Sequence, residues 1–269
     1  MLACPMCEAE IAEGTGVCPH CGSDRGGMIA APADTPRTRW THWLAILCAA
    51  VVFGAVVLFF AARSASHLSG SVCHLRVVGL ATINSTVTHH GYPPAVESTP
   101  QHAGYGWAVA ILRDMDQSAV YEAIDFAKPW DDPANAAILS TEIPGYRNPA
   151  ISEVKDERGN ALIHYAGNVR LLGRVPALAP EDVTDGSTNT LMIGEVDAGF
   201  RPWADPGTLR DPAAGLNRGA STFGSPWKDG RVYFAIADGS VSAVPGDTSP
   251  DVLRALATPA GGEVVTFPE

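Results

Sequence analysis

The most regular feature of the chain is a block of apolar positions. Residues 43–62, WLAILCAAVVFGAVVLFFAA, run for twenty positions without a charge, the length a helix needs to cross a hydrocarbon core of about 30 Å. The apolar core of a signal peptide is shorter, about 7 to 15 residues, and this block follows a cysteine-rich module, so it predicts a permanent single transmembrane helix. Trp40 and Trp43 stand at one end, where aromatic side chains mark a membrane interface. Residues 25–42 are rich in Gly, Ala and Pro and read as a flexible linker.

Beyond residue 62 the pattern breaks into short pieces. There is an apolar segment over 75–83, a helix predicted over 114–124 and a short one from Pro133 to Leu139. Strand-like runs follow over 161–165 and 190–196. In RVYFAIADGSVSAV, Val232, Phe234 and Ile236 alternate with a second set, and Asp238-Gly239 suggests a hairpin with a two-residue type I′ turn. Ser249 followed by Pro250 predicts the capped start of a helix running to Ala257. Frequent Gly (27) and Pro (21) agree with many turns and short elements.

Four of the six cysteines form two C-x-x-C pairs, Cys4/Cys7 and Cys18/Cys21. Two such knuckles direct four thiolates at one ion, so the spacing predicts a zinc ribbon over residues 1–24 with Zn2+ held by Cys4, Cys7, Cys18 and Cys21. A thioredoxin-like redox pair shares the C-x-x-C spacing but needs a βαβ surround, for which there is no room. So small a module has almost no apolar core and must be held by its metal. His20 reads as a loop residue, and Cys48, inside the span, as a small apolar one.

Charge narrows the partners. A net charge of −11 and a pI near 5.1 argue against nucleic acid, which requires clustered Lys and Arg. Three of 18 basic and five of 29 acidic residues precede Arg63, leaving residues 63–269 an acidic segment of net charge −9. Arg25, Arg37 and Arg39 before the span, against Arg63 and Arg76 after it, place the amino terminus in the cytoplasm and the larger domain outside. Four reduced thiolates suit the same side.

Candidate chemistry in the outer segment is sparse, and motifs for zinc proteases, serine hydrolases and phosphate-binding loops are absent. His89, His90 and His102 flank a Pro-rich stretch and offer a metal site, with exposed loop residues as the competing reading. Glu181, Asp182 and Asp185 offer oxygen ligands for calcium, or a solvated turn at Asp185-Gly186. Asn84-Ser85-Thr86 fits a glycosylation sequon, which needs a eukaryotic secretory context. Trp107, Trp130, Trp203 and Trp227 would form sugar-stacking surfaces if exposed, and core anchors otherwise.

The order of CHLRVVGLA, HHGYPPA, GWAVAILRDMDQSAVYEAIDFAKPWDDPAN, EIPGYRNPA, EDVTDGSTNTLMIGEV, FAIADGSV and VLRALATPAGGE resembles the domain of unknown function 1559 family, pseudopilin-like proteins with an H-x9-DG carboxy-terminal motif. The resemblance covers about residues 71–268. It implies a membrane-inserted amino-terminal helix followed by a β-rich globular head, and no established enzymatic activity. Three positions depart from the family pattern. The span has no acidic residue where members carry a Phe-Thr-Leu-x-Glu helix start, Lys228 stands in place of the motif histidine, and Asn148 stands where the resemblance would place the partner of Cys73, which leaves Cys73 a free thiol. The combined expectation is an α+β protein of four parts: zinc ribbon (1–24), linker (25–42), transmembrane helix (43–62) and extracytoplasmic pilin-like head (63–269). Its expected role is structural or interactive, without catalysis, with the bilayer and either protein partners or self-assembly as contacts. A membrane-tethered solute or glycan receptor is the alternative. An exposed tryptophan strip would favour the receptor, and a buried convergent Asp/His cleft an enzyme.

Overall fold

The computed structural model describes residues 1–24, 36–94, 104–172, 174 and 176–268, without the side chains of residues 36–41. Most of the expected linker (25–35), His102, and the side chains of Trp40, Arg37 and Arg39 lie outside the described residues. The chain divides into two compact units, Met1–Phe60 and Ala61–Glu269.

The first unit opens with two short antiparallel strands, β1 (Leu2–Ala3) and β2 (Glu10–Ile11). They carry the cysteine module, whose buried apolar interior is limited to Cys4, Ile11 and Cys18. Helix α1 spans Pro36–His89, 54 residues, and so extends past both expected ends: the linker boundary at 42 and the transmembrane boundary at 62. It is long and apolar enough to cross a membrane from residue 42 onward. Over residues 43–60 its large apolar side chains are exposed, Trp43, Phe53 and Leu58 among them.

In the second unit α1 is the spine of a mixed helix-and-sheet head. The apolar segment over 75–83 is helical because its inward positions repeat with helical spacing. Leu75, Val78, Thr82 and Thr86 are buried, and the Thr82 and Thr86 hydroxyls donate to the carbonyls of Val78 and Thr82 at 2.8 and 2.7 Å. Gly79 lets the helix lie directly on the sheet, since a Cβ there would come within 2.8 Å of the Ala235 Cβ. Short helices α2 (Trp107–Ala110), α3 (Ser118–Glu122) and α4 (Ala136–Leu139) follow. The helix expected over 114–124 is broken, because Asp116 adopts a left-handed φ of 57° between a 3-10 turn at Arg113–Met115 and α3.

The run over 161–165 divides at His164. β3 (Leu162–Ile163) pairs with β6 (Arg201–Pro202), while β4 (Tyr165–Asn168) joins the main sheet. That sheet is ordered β7-β4-β5-β8-β9, with β5 at Leu191–Glu195, β7 at Leu209–Arg210, β8 at Val232–Ile236 and β9 at Val241–Val244. All its pairings are antiparallel except β4 with β7. Both faces are covered. Ala235 and Met192 face the core shared with α1 and α2, while Val232, Phe234 and Ile236 face a second core closed by Leu253 and Leu256 of α5 (Pro250–Ala257). Helix α5 starts as expected, with the Ser249 hydroxyl accepting from the Val252 amide.

The hairpin forms where alternation placed it, but its turn differs. Ala235 is opposite Val241, leaving Ala237, Asp238 and Gly239 as a three-residue loop. The Gly239 amide donates to the Ile236 carbonyl, and only Gly239 has positive φ, at 89°. This is a type I turn closed by a bulged glycine, not a type I′ turn. The loop seats on α1, where a Cβ on Gly239 would lie 3.0 Å from Leu80 and 3.1 Å from Ile83. Gly239→Val should therefore lower the stability of the head by ~1–3 kcal/mol, read as a lower melting temperature of the purified chain. Asp238→Asn should leave it unchanged, because an amide oxygen can still accept from the Ser240 amide as Asp238 Oδ1 does at 2.8 Å. Equal losses in the two variants would refute this account of the turn.

Candidate metal centre and a buried carboxylate

The two knuckles of the cysteine module are built alike. The Glu8 amide donates to the Cys4 carbonyl at 2.8 Å and the Gly22 amide to the Cys18 carbonyl at 2.9 Å. Glu8 and Gly22 both take left-handed φ, 59° and 71°. Each pair thus turns its thiols to one point, and the four sulfurs lie within 4.8 Å of one another. Cys4 Sγ is 3.7 Å from Cys21 Sγ, and Cys7 Sγ is 3.8 Å from Cys18 Sγ. A tetrahedral ion with metal–sulfur bonds near 2.3 Å has edges of about 3.8 Å. A disulfide would need about 2.05 Å. The donor set can bind a metal ion, with two sulfurs buried and two exposed. The Met6 backbone and the Ser23 hydroxyl hold the Cys4 thiol down to about 6 and Ser23 also lowers Cys21, while the neighbouring thiols push Cys7 up, so without an ion the four sulfurs do not all ionise together and a metal must displace the remaining protons.

The other expected sites are dispersed. His89 and His90 border a cavity of about 240 Å³ with Ser85, Arg113, Asp114 and Tyr121, and His89 Nδ1 is committed to the Ser85 carbonyl at 2.9 Å. Asp182 accepts from the Ala179 amide, while the Asp185 carboxylate accepts from the amides of Gly261 and Gly262 at 2.6 and 2.8 Å. These carboxylates serve two separate backbone segments, and among the described residues only the four cysteines gather as a ligand set. Trp107 and Trp203 are fully buried and Trp130 packs against the core, so no exposed strip is made from them. Asn84 is helical, and the Ser85 and Thr86 of its sequon are buried. Lys228 is exposed and Cys73 is an exposed free thiol.

The head contains a polar centre that the sequence reading missed. Glu195, at the end of β5, is fully buried. Its Oε1 accepts from the Ser71 hydroxyl at 2.6 Å and the Asn148 amide at 2.9 Å, and its Oε2 from the Trp227 indole at 2.9 Å and the Tyr233 backbone at 3.1 Å. Ser71 spends its only proton on Glu195, so Tyr165, 3.1 Å from Ser71 Oγ, is the donor in that second contact. His164 completes the surround: its Nδ1 accepts from the Asn148 backbone N–H at 2.9 Å, distinct from the Asn148 side-chain amide that serves Glu195, and its Nε2 faces the Glu153 carbonyl at 2.8 Å. This fixes a neutral ring protonated on Nε2, in keeping with the burial that lowers its pKa. Asn148 thus ties the loop it occupies to Glu195 by hydrogen bonding. A signal was available, since one acid sits inside the apolar run LMIGEV.

Residues 61–171 match the model of the family described as Protein of unknown function (DUF1559). The match ends before Glu195 and before the β8–β9 hairpin. No curated protein and no solved structure matches the chain.

Burial pushes the Glu195 carboxyl up to about 7, against the hydrogen bonds from Ser71, Tyr233, Trp227 and Asn148 that lower it. The folded chain therefore holds a proton that the unfolded chain, titrating near 4.5, releases earlier. The resulting stabilisation is complete below the unfolded value and is lost as pH rises through about 7, amounting to ~3 kcal/mol at most. Melting temperatures from pH 5 to 8 should show this fall in the wild type and lose it in Glu195→Gln. His164 gives the opposite slope in both proteins, so the difference between the curves isolates Glu195. Parallel curves would refute the assignment.

Proposed function

We propose that this chain is a single-pass, membrane-anchored structural or interaction protein, with a pilin-like head outside the membrane and a cytoplasmic zinc module. The observation that carries the reading is the division of labour along α1. Its large apolar side chains are exposed over 43–60, as a lipid-facing helix requires, whereas over 71–86 Leu75 and Val78, together with small and hydroxyl residues, bury it in the head. The family match and the helix-on-sheet arrangement support a pilin-like architecture. The arginine distribution and the four reduced thiols support an amino terminus inside.

A scaffold role without catalysis is supported by the state of the polar centre. Ser71, Asn148, His164, Tyr165 and Glu195 are all buried, and each is engaged by protein partners. The receptor reading gains nothing from Trp107, Trp130, Trp203 and Trp227, which serve the core or bond to Glu195.

Zinc is the metal that four thiolates in so small a module suit best. Elemental analysis of the reduced protein should give one zinc per chain, and Cys7→Ser with Cys21→Ser should abolish it. Stoichiometric iron, or no metal, would overturn the assignment. Orientation is tested separately, in a Cys73→Ser background that removes the native exposed thiol. An impermeant maleimide applied to spheroplasts should label an engineered cysteine at Ser240 and spare one at Ala30. The reverse pattern would invert the topology.

A further inference from the structure

We propose that the outward face of α1 over residues 73–87 is a parallel seam between two copies of this chain. The proposal rests on the membrane-anchored reading above and names the partner.

Within the head, the exposed positions that define this face are Cys73, Val77, Leu80, Asn84 and Val87. Their spacing is 4-3-4-3, the seam period of a left-handed coiled coil. Written as heptads, Val77 and Asn84 fall at a, and Cys73, Leu80 and Val87 at d. A β-branched residue at a with Leu at d favours two parallel strands, and a single Asn at a fixes register. Val77, Leu80 and Val87 remain 43, 47 and 65% exposed, although Leu80 also borders the loop at Gly239. The positions that would face water in a free coiled coil are the ones the head buries: Ser71, Leu75, Val78, Thr82, Ser85 and Thr86. Arg76 is the only charged side chain on the outward face of this segment, whereas a solvated helix face carries many.

A second copy is the occupant this face fits. Two chains anchored in one membrane with the same topology present α1 in the same direction, so each seam residue meets its own counterpart. Val, Leu and Cys are then self-complementary, and the Asn84 amides pair oxygen to N–H. Lipid does not serve, because Cys73 lies ten residues, or ~15 Å, along the helix beyond Arg63, past a headgroup layer of about 5–8 Å. Two heptads are short for a coiled coil in water. Here the head already holds α1 helical and the membrane confines both partners, which removes most of the ordering cost.

The test uses the full-length, zinc-loaded chain with Cys48→Ala in native membranes. Diamide is the oxidant: two thiols become a disulfide as the diazene is reduced to a hydrazine. A Cys73-linked homodimer is expected on non-reducing gels and should be absent from Cys73→Ser. In that second background, single cysteines replacing Val77, Leu80, Asn84 or Val87 should restore the dimer, and cysteines replacing Arg76 or Thr88 should yield ~tenfold less. Val77→Glu should cut the Cys73 dimer by ~tenfold while the head's melting temperature stays unchanged, since the side chain is 43% exposed and the charge is buried only in the seam. A membrane-bound protein that gives no dimer, dimers with no 4-3 pattern, or Cys73 joined to a different protein would each overturn the seam and leave the anchored reading standing. Release of the chain by carbonate extraction of the same membranes would overturn both.

Discussion

A carboxylate sealed in a protein interior without a cation costs several kcal/mol unless its oxygens are hydrogen-bonded, and Glu195 meets that condition only when four distant segments arrive together. Ser71 comes from α1, Asn148 from the loop before β3, Trp227 from the segment before β8, and the Tyr233 amide from β8 itself. Each oxygen takes two of these donors, so displacing any segment leaves one buried oxygen with half of its hydrogen bonds. The carboxylate therefore registers the spine of the head against both its sheet and its loops, which generic apolar packing does less sharply.

That registration lets α1 be chemically divided. Its apolar half needs no partner within the chain, while its head-facing half mixes the apolar Leu75 and Val78 with the hydroxyls of Ser71, Thr82 and Thr86, so that area and hydrogen bonding hold it together. Gly79 brings the helix onto Ala235, and Thr82 and Thr86 satisfy their hydroxyls within the helix. Close approach then supplies dispersion contacts that larger side chains would have kept apart.

What was legible in the sequence was local. The C-x-x-C spacing defines its own turn geometry, the charge-free span is set by composition, and the alternation from Val232 to Ile236 follows from a sheet with two covered faces. The continuation of α1 beyond residue 62 was not legible, because RSASHLSGSV contains weak helix formers and the apolar segment after it suits a helix or a strand equally; packing on the sheet decides. Asp-Gly permits either hairpin turn, and the seat of Gly239 against Leu80 and Ile83 selects the bulged one. Glu195 was hidden for a related reason: alternation assigns such an acid to an outer face, and this sheet has none free.

The parallel pairing of β4 with β7, together with the bonds from the Asn168 amide to the carbonyls of Leu191 and Ala257 at 2.7 and 2.8 Å, bears on the order in which the chain can assemble. A chain made from its amino terminus has its metal module and its apolar helix in hand early, since both close locally. The head cannot close until Ala257 emerges, because β4 waits for β7 and Asn168 waits for Ala257. During that interval the head-facing side of α1, Leu75 and Val78 included, has nothing to cover it. Synthesis of the head is thus a period of vulnerability whose length is set by topology and not by stability, and loss of even the final helix would strand a mostly complete domain without its closing contact.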